Sequence, residues 1–136
     1  MPSDTFNPGF RVSTLDVFVL VVGGAFAANI GLAHFWFGAS IAFAIGHFFL
    51  FCNIVRMRRA FELLWAAAFV ALAVGTSRGW WSWPTALGVS LTLTVALVAV
   101  ELRKPSYHGA FWRQINPGLP VWWERQRDAR AGEKSD

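Results

Sequence analysis

The sequence predicts an all-α integral membrane protein, with four short transmembrane helices in an up-down antiparallel bundle followed by a cytoplasmic interfacial tail. Composition is the first ground. Of 136 residues, 55% are hydrophobic and eight are tryptophan, more apolar surface than a soluble domain of this size hides. The second is distribution: charged side chains avoid most of the stretch from Leu15 to Val100 and crowd into its flanks and one internal cluster. The third is length. A hydrocarbon core of about 30 Å is crossed by roughly 20 apolar helical residues, and the apolar stretch divides at aromatic and basic interruptions into four such pieces.

Residues 1–14 form an N-terminal arm expected on the cytoplasmic side. The run from Leu15 to Val55 is about twice what one crossing requires, so it folds back once. The turn is placed at His34-Phe35-Trp36-Phe37-Gly38, where aromatic rings suit the headgroup level and Gly38 relieves a tight reversal. Helix 1 is then about 15–33 and helix 2 about 38–55. Ala25-Phe26-Ala27 has the small-x-small form of a signal-peptidase site, but Asp16 opens the apolar run, which continues unbroken past that point, so a retained first span is expected.

Arg56-Met57-Arg58-Arg59 is too charged for lipid and too short for more than an interfacial connection, so helix 3 follows at about 60–76. Thr76 to Pro84, with Trp80, Trp81 and Trp83, reads as a second aromatic turn. Pro84 suits the first turn of helix 4, about 84–101, and Pro105 stops the chain from continuing it. Thr92, Thr94 and the neighbouring valines have strand propensity in water. Lipid demands internally satisfied backbone hydrogen bonds, so helix is the reading.

Orientation follows from the basic residues. Eleven of the 12 fall on one side, in the arm, the 56–59 loop and the tail, and only Arg78 falls on the other. Both termini are therefore expected in the cytoplasm of a cell inner membrane of bacterial type. Small residues at four-residue spacing, Gly24 with Ala28, Gly38 with Ala42 and Gly46, and Ala67 with Ala71 and Gly75, are expected to line the helix contacts.

The polar exceptions mark the candidate sites. Asp16, Arg56, Glu62 and Glu101 each sit near the cytoplasmic end of a helix, and Asn53 continues the helix 2 stripe into the bundle. Together they are expected to form a structural polar belt in which acids and arginines neutralise one another, with Arg58 and Glu62 spaced to pair. Asn29 is expected to act similarly near the outer leaflet. His47 lies mid-span, where an ionisable group raises a functional hypothesis. A bis-histidine haem is disfavoured because helices 3 and 4 contain no second histidine; a structural role, or a quinone-sized crevice among Phe43, Phe48 and Phe51, fits better.

The tail, 102–136, holds two aromatic segments joined by Asn116-Pro117-Gly118-Leu119-Pro120. Tyr107, Trp112, Arg113, Trp122, Trp123 and Arg125 suit a headgroup layer or a partner surface. From about Asp128 the residues are small and charged, and disorder is expected.

Cys52 is the only cysteine, which excludes an intrachain disulfide and a multi-cysteine metal centre. The net charge of +4 lies in clusters beside apolar runs, matching anionic lipid headgroups and not nucleic acid. No nucleophile with a base beside it, metal-ligand spacing or glycine-rich phosphate loop occurs. These features point to a non-enzymatic accessory or scaffolding subunit of a membrane complex, with no resident cofactor, in contact with the bilayer and with other membrane subunits. The alternative is a small transporter or quinone-binding redox subunit using His47 and the inner polar belt.

Overall fold

A computed structural model describes residues 5–133, and every regular element among them is helical. Four helices are long and apolar enough to cross a membrane. They are α1 (Thr14–Ala33), the segment Phe35–Val55, α3 (Arg59–Ser77) and α4 (Trp83–Leu102), with mean hydropathies of 2.0, 1.8, 1.7 and 1.9. At 1.5 Å per residue, about 20 residues match a hydrocarbon thickness of roughly 30 Å. The second span is composite: α2 covers Phe35–Phe49, and Leu50–Val55 continues it as a π-helical turn. Two short helices complete the chain, α5 (Trp112–Ile115) and α6 (Leu119–Glu133).

Local chemistry sets the ends. Ser13 caps α1 in a reciprocal box, its hydroxyl accepting from Asp16 N–H at 3.2 Å while Asp16 Oδ2 accepts from Ser13 N–H at 2.7 Å. Ser82 caps α4, with Pro84 in the first turn where a missing N–H leaves nothing unpaired. Between α1 and α2 stands one residue, His34. Its N–H closes α1 on Ile30 O (2.8 Å) and its carbonyl already accepts from Gly38 N–H (3.1 Å), so the second helix begins at Phe35, three residues before the expected start. Gly38 consequently lies inside the helix contact and not in the turn.

The α1–α2 contact runs along Gly23, Ala27 and Gly31. A Cβ at Gly38 would strike Ala27 O and the backbone of Gly31, and one at Gly23 would come within 2.6 Å of Ile45 Cδ1. The working stripe on α1 is thus one residue out of phase with the expected Gly24–Ala28 pair, which faces outward with open space around Gly24. Ala42, Gly46, Ala67 and Ala71 are likewise exposed, and Gly75 is buried against Trp81 of its own C-terminal turn. The physical reason is occupancy. Between the second span and α3, large rings fill the space that small residues were expected to close.

Those rings centre on Trp65, fully buried and in contact with Phe51, Val55 and Leu97 in the core cluster. Its indole lies parallel to Phe69 (5.1 Å, 6°) and His47 (4.7 Å, 10°) and edge-on to Phe51 (5.4 Å, 76°). Its N–H donates to Thr94 Oγ1 at 2.9 Å and to Ser90 O at 3.2 Å, tying α3 to α4. Elsewhere the spans present Val, Leu and Phe outward, as lipid contact requires. Asn29 is exposed on α1 and does not enter the helix contacts.

The end of the chain departs from expectation. Disorder from about Asp128 is corrected by α6, which continues through Glu133. Its arginines and Ala129 and Ala131 are helix formers, and the polar composition that discourages a packed core does not discourage an exposed helix. Residues 134–136, the rest of the expected disordered end, lie outside the described residues, as do residues 1–4 of the N-terminal arm.

Candidate functional site

The π-helical turn organises one end of the molecule. Widening the helix at Leu50–Val55 leaves its last carbonyls unclaimed within the helix, and helix ends require outside partners for such groups. Both chain termini supply them. Arg11 N–H, from the N-terminal arm, donates to Asn53 O at 3.2 Å, and Ala110 N–H, from the tail, donates to Ile54 O at 2.7 Å. Arm and tail also meet each other, Gly9 N–H donating to His108 O at 2.8 Å. Gly109 permits the approach, since a Cβ there would strike Val55 O and Ile54 O.

Arg56 ends the turn with φ 53°, a left-handed conformation that disfavours any residue with a Cβ. Phe51 O takes N–H groups from both Arg56 and Met57, closing the wide turn. The Arg56 side chain reaches back to the arm and donates from Nη1 to Asn7 O at 2.7 Å. Burial, and then the positive charge of Arg11, push its pKa below the ordinary arginine value, yet a guanidinium stays protonated across the working pH range.

Side chains complete the layer. Asn53, its amide nitrogen turned toward acceptors, donates to Arg11 O at 2.8 Å and to Asp16 Oδ2 at 3.1 Å. Tyr107 is buried, and its hydroxyl donates to Ala110 O at 2.8 Å. Asn116 Nδ2 donates to Pro105 O at 2.7 Å and to Tyr107 O at 3.1 Å, fixing the turn after α4. Phe6 packs between Trp112 (5.9 Å) and Trp123 (5.7 Å). Arm, turn and tail are therefore one structural layer.

The layer encloses a recess of about 790 Å³. Arg56, Arg58, Arg59 and Lys104 line it, against a single carboxylate among the described residues, Glu101; Phe6, Trp122 and Trp123 form its apolar wall. Lys104 Nζ lies 2.6 Å from Glu101 and 4.2 Å above the Phe61 ring, and Arg59 lies 3.3 Å from Glu62 outside the lining. Arg58 is exposed and has no carboxylate within ion-pair distance among the described residues.

The polar belt accordingly divides into local sets. Asp16 joins Ser13 and Asn53; Glu62 joins Arg59 and accepts from Cys52 Sγ at 3.3 Å; Glu101 joins Lys104; and Arg56 binds arm carbonyls instead of an acid. Glu62 pairs with Arg59, one turn away, in place of Arg58. Of the tail residues, Tyr107, Trp112 and Trp123 are drawn into the layer, Trp122 lines the recess, Arg113 lies over the Trp112 ring at 5.6 Å, and Arg125 stays exposed. His47 lies in the ring cluster. Its Nδ1 is 2.7 Å from Phe43 O, and because a carbonyl only accepts, Nδ1 carries the proton. The space among Phe43, Phe48 and Phe51 is filled by His47 and Trp65 themselves.

Sequence reasoning missed Phe6, Gly9, Gly109 and Asn116. A signal existed for Gly109, a glycine inside an aromatic segment that lies outside any helix. For Phe6 and Gly9 there was none, because their partners lie about a hundred residues away. Among the described residues, no group of three or more His, Cys, Asp or Glu side chains is placed to hold a metal ion. Comparison with protein-family models, curated proteins and solved structures finds no match.

Proposed function

We propose that this chain is a non-enzymatic accessory or scaffolding subunit of a bacterial inner-membrane complex. In this reading the four spans form an up-down antiparallel bundle, and the arm, the 56–59 loop and the tail lie together on the cytoplasmic face, against anionic headgroups. The observation that carries it is the joining of arm and tail to the π-helical turn through Arg11–Asn53 and Ala110–Ile54, and to each other through Gly9–His108. A construction so fixed, without a nucleophile–base pair or a metal cluster among the described residues, suits a platform on which neighbours dock. The eleven-to-one division of basic residues supports the orientation.

Two measurements test it. A cytoplasm-active reporter fused after Asp136 should be active, and a stronger signal from a periplasm-active reporter there would reverse the topology. Mild extraction should place the protein in an assembly larger than its 15.1 kDa monomer, with Gly109→Val releasing it; a monomer from wild-type membranes sinks the accessory role. The rival, a transporter or quinone-binding redox subunit centred on His47, gains no support from a ring stacked on Trp65 with its Nδ1 committed to Phe43. A quinone or chromophore in stoichiometric amount in the purified protein would restore it.

A further inference from the structure

The basic recess has a shape and a position that the platform role alone does not require. We propose that it binds the phosphodiester headgroup of an anionic phospholipid; the assignment rests on the orientation proposed above and adds a specific ligand to it.

Position is the first argument. Arg56 directly follows the second span, Arg59 opens α3 and Glu101 lies in the last turn of α4, and all three line the recess. Its depth is therefore that of the span ends, where lipid phosphates lie. Charge is the second. Among the described residues, four basic side chains face one carboxylate, and that carboxylate is already taken by Lys104. Arg56 is occupied by the carbonyl of Asn7, and Arg59 leans toward Glu62. Arg58 remains, with a planar fork of donors that matches two phosphate oxygens. Basic pockets between spans at this depth are suited to lipid headgroups.

The wall decides between lipid and a soluble anion. Phe6, Trp122 and Trp123 give one side of the recess an apolar, aromatic surface, and indoles favour the level of the glycerol backbone, where one edge is wet and the other is not. A soluble phosphate has nothing to place there. The volume of about 790 Å³ accommodates a phosphoglycerol headgroup together with the start of its acyl chains.

The test titrates the full chain, in uncharged detergent, with short-chain phosphatidylglycerol, short-chain phosphatidylcholine and inorganic phosphate, following Trp fluorescence. Phosphatidylglycerol should give a saturable change at the lowest concentration. Arg58→Gln should weaken it about fivefold, the equivalent of about 1 kcal/mol, with thermal stability unchanged because Arg58 is exposed. Arg58→Lys should recover part of the loss, and Arg113→Gln, outside the lining, should leave binding as it is. Equal responses to the two lipids, or no effect of Arg58→Gln, would overturn the site. Equal losses in Arg58→Gln and Arg113→Gln would reduce it to diffuse surface charge. Inorganic phosphate competing as strongly as the lipid would overturn the lipid assignment in favour of a soluble anion. The reporter after Asp136 reads topology independently, so a cytoplasmic signal with no lipid selectivity removes this proposal alone.

Discussion

Gly109 shows how much one missing side chain decides. Any Cβ there meets the carbonyls of Ile54 and Val55, and backbone atoms at the end of a packed span have little room to retreat. Gly109→Ala should undock the tail, read as faster proteolysis near Pro105 and a red-shifted Trp emission; unchanged cleavage would show that the turn can yield. Tyr107 gives the same region a pH dependence. Burial, and next the charge of Glu101, raise its pKa above the usual 10.0. A raised folded-state pKa means that the Tyr107 contribution is complete below about pH 10 and is lost as pH climbs through the higher folded value. Tail protection should therefore fall above pH 10, and Tyr107→Phe should remove that alkaline step while losing about 1 kcal/mol from the bond to Ala110. An alkaline step of the same size in Tyr107→Phe would assign it to another group.

Between elements, the α1–α2 hairpin and the Trp65 cluster obey different rules. The hairpin depends on small residues, because only Gly23, Ala27, Gly31 and Gly38 let two backbones approach so closely. Gly38→Val should lower stability in detergent by about 1–3 kcal/mol through overpacking, whereas Gly24→Ala and Gly46→Ala, which meet open space, should be nearly silent. Equal effects at Gly38 and Gly24 would mean that α1 is rotated from its position here. The α3–α4 contact depends instead on a ring and two acceptors. Thr94→Val removes one of the two bonds to the Trp65 indole and should cost about 0.6 kcal/mol, the average for such interactions in a membrane. At the polar end, Glu62 and Glu101 have separate partners, Arg59 and Lys104. Glu62→Gln and Glu101→Gln should add to within about 0.3–0.5 kcal/mol in the double variant; a larger coupling would restore the continuous belt expected from the sequence.

At the scale of the whole molecule, the two ends are closed by different means. Segments roughly a hundred residues apart in sequence, around Gly9 and His108, become hydrogen-bonded neighbours on the carbonyl end of the second span, while at the other end the one-residue hinge at His34 and the Trp80–Trp81 turn meet through the Phe37 and Trp83 rings at 5.4 Å. Limited proteolysis of the intact protein should reflect this asymmetry. Cleavage near Arg78 should come readily, whereas the Arg56–Arg59 loop should resist until arm docking is weakened by Arg56→Ala. Early cleavage after Arg58 in the unmodified chain would show that the arm does not hold its place.

Sequence by itself determined the number of helices long and apolar enough to cross a membrane, their approximate limits and the place of Pro84 in the first turn of the fourth, because these depend on composition, length and neighbours within one helical turn. It also picked out Asn53, Arg56, Glu62 and Glu101, since charge beside hydrocarbon is conspicuous in any single chain. Only the tertiary structure decided which small residues touch, because a stripe of period four occurs on more than one face of an alanine- and glycine-rich helix, and side-chain volume on the facing element selects among them. It alone placed His47 against Trp65, wound Leu50–Val55 as a π turn and brought Arg11 and Ala110 to its unclaimed carbonyls. Those carbonyls had to find N–H partners somewhere; which distant segments would supply them is a matter of three-dimensional proximity, which no local pattern in the chain encodes.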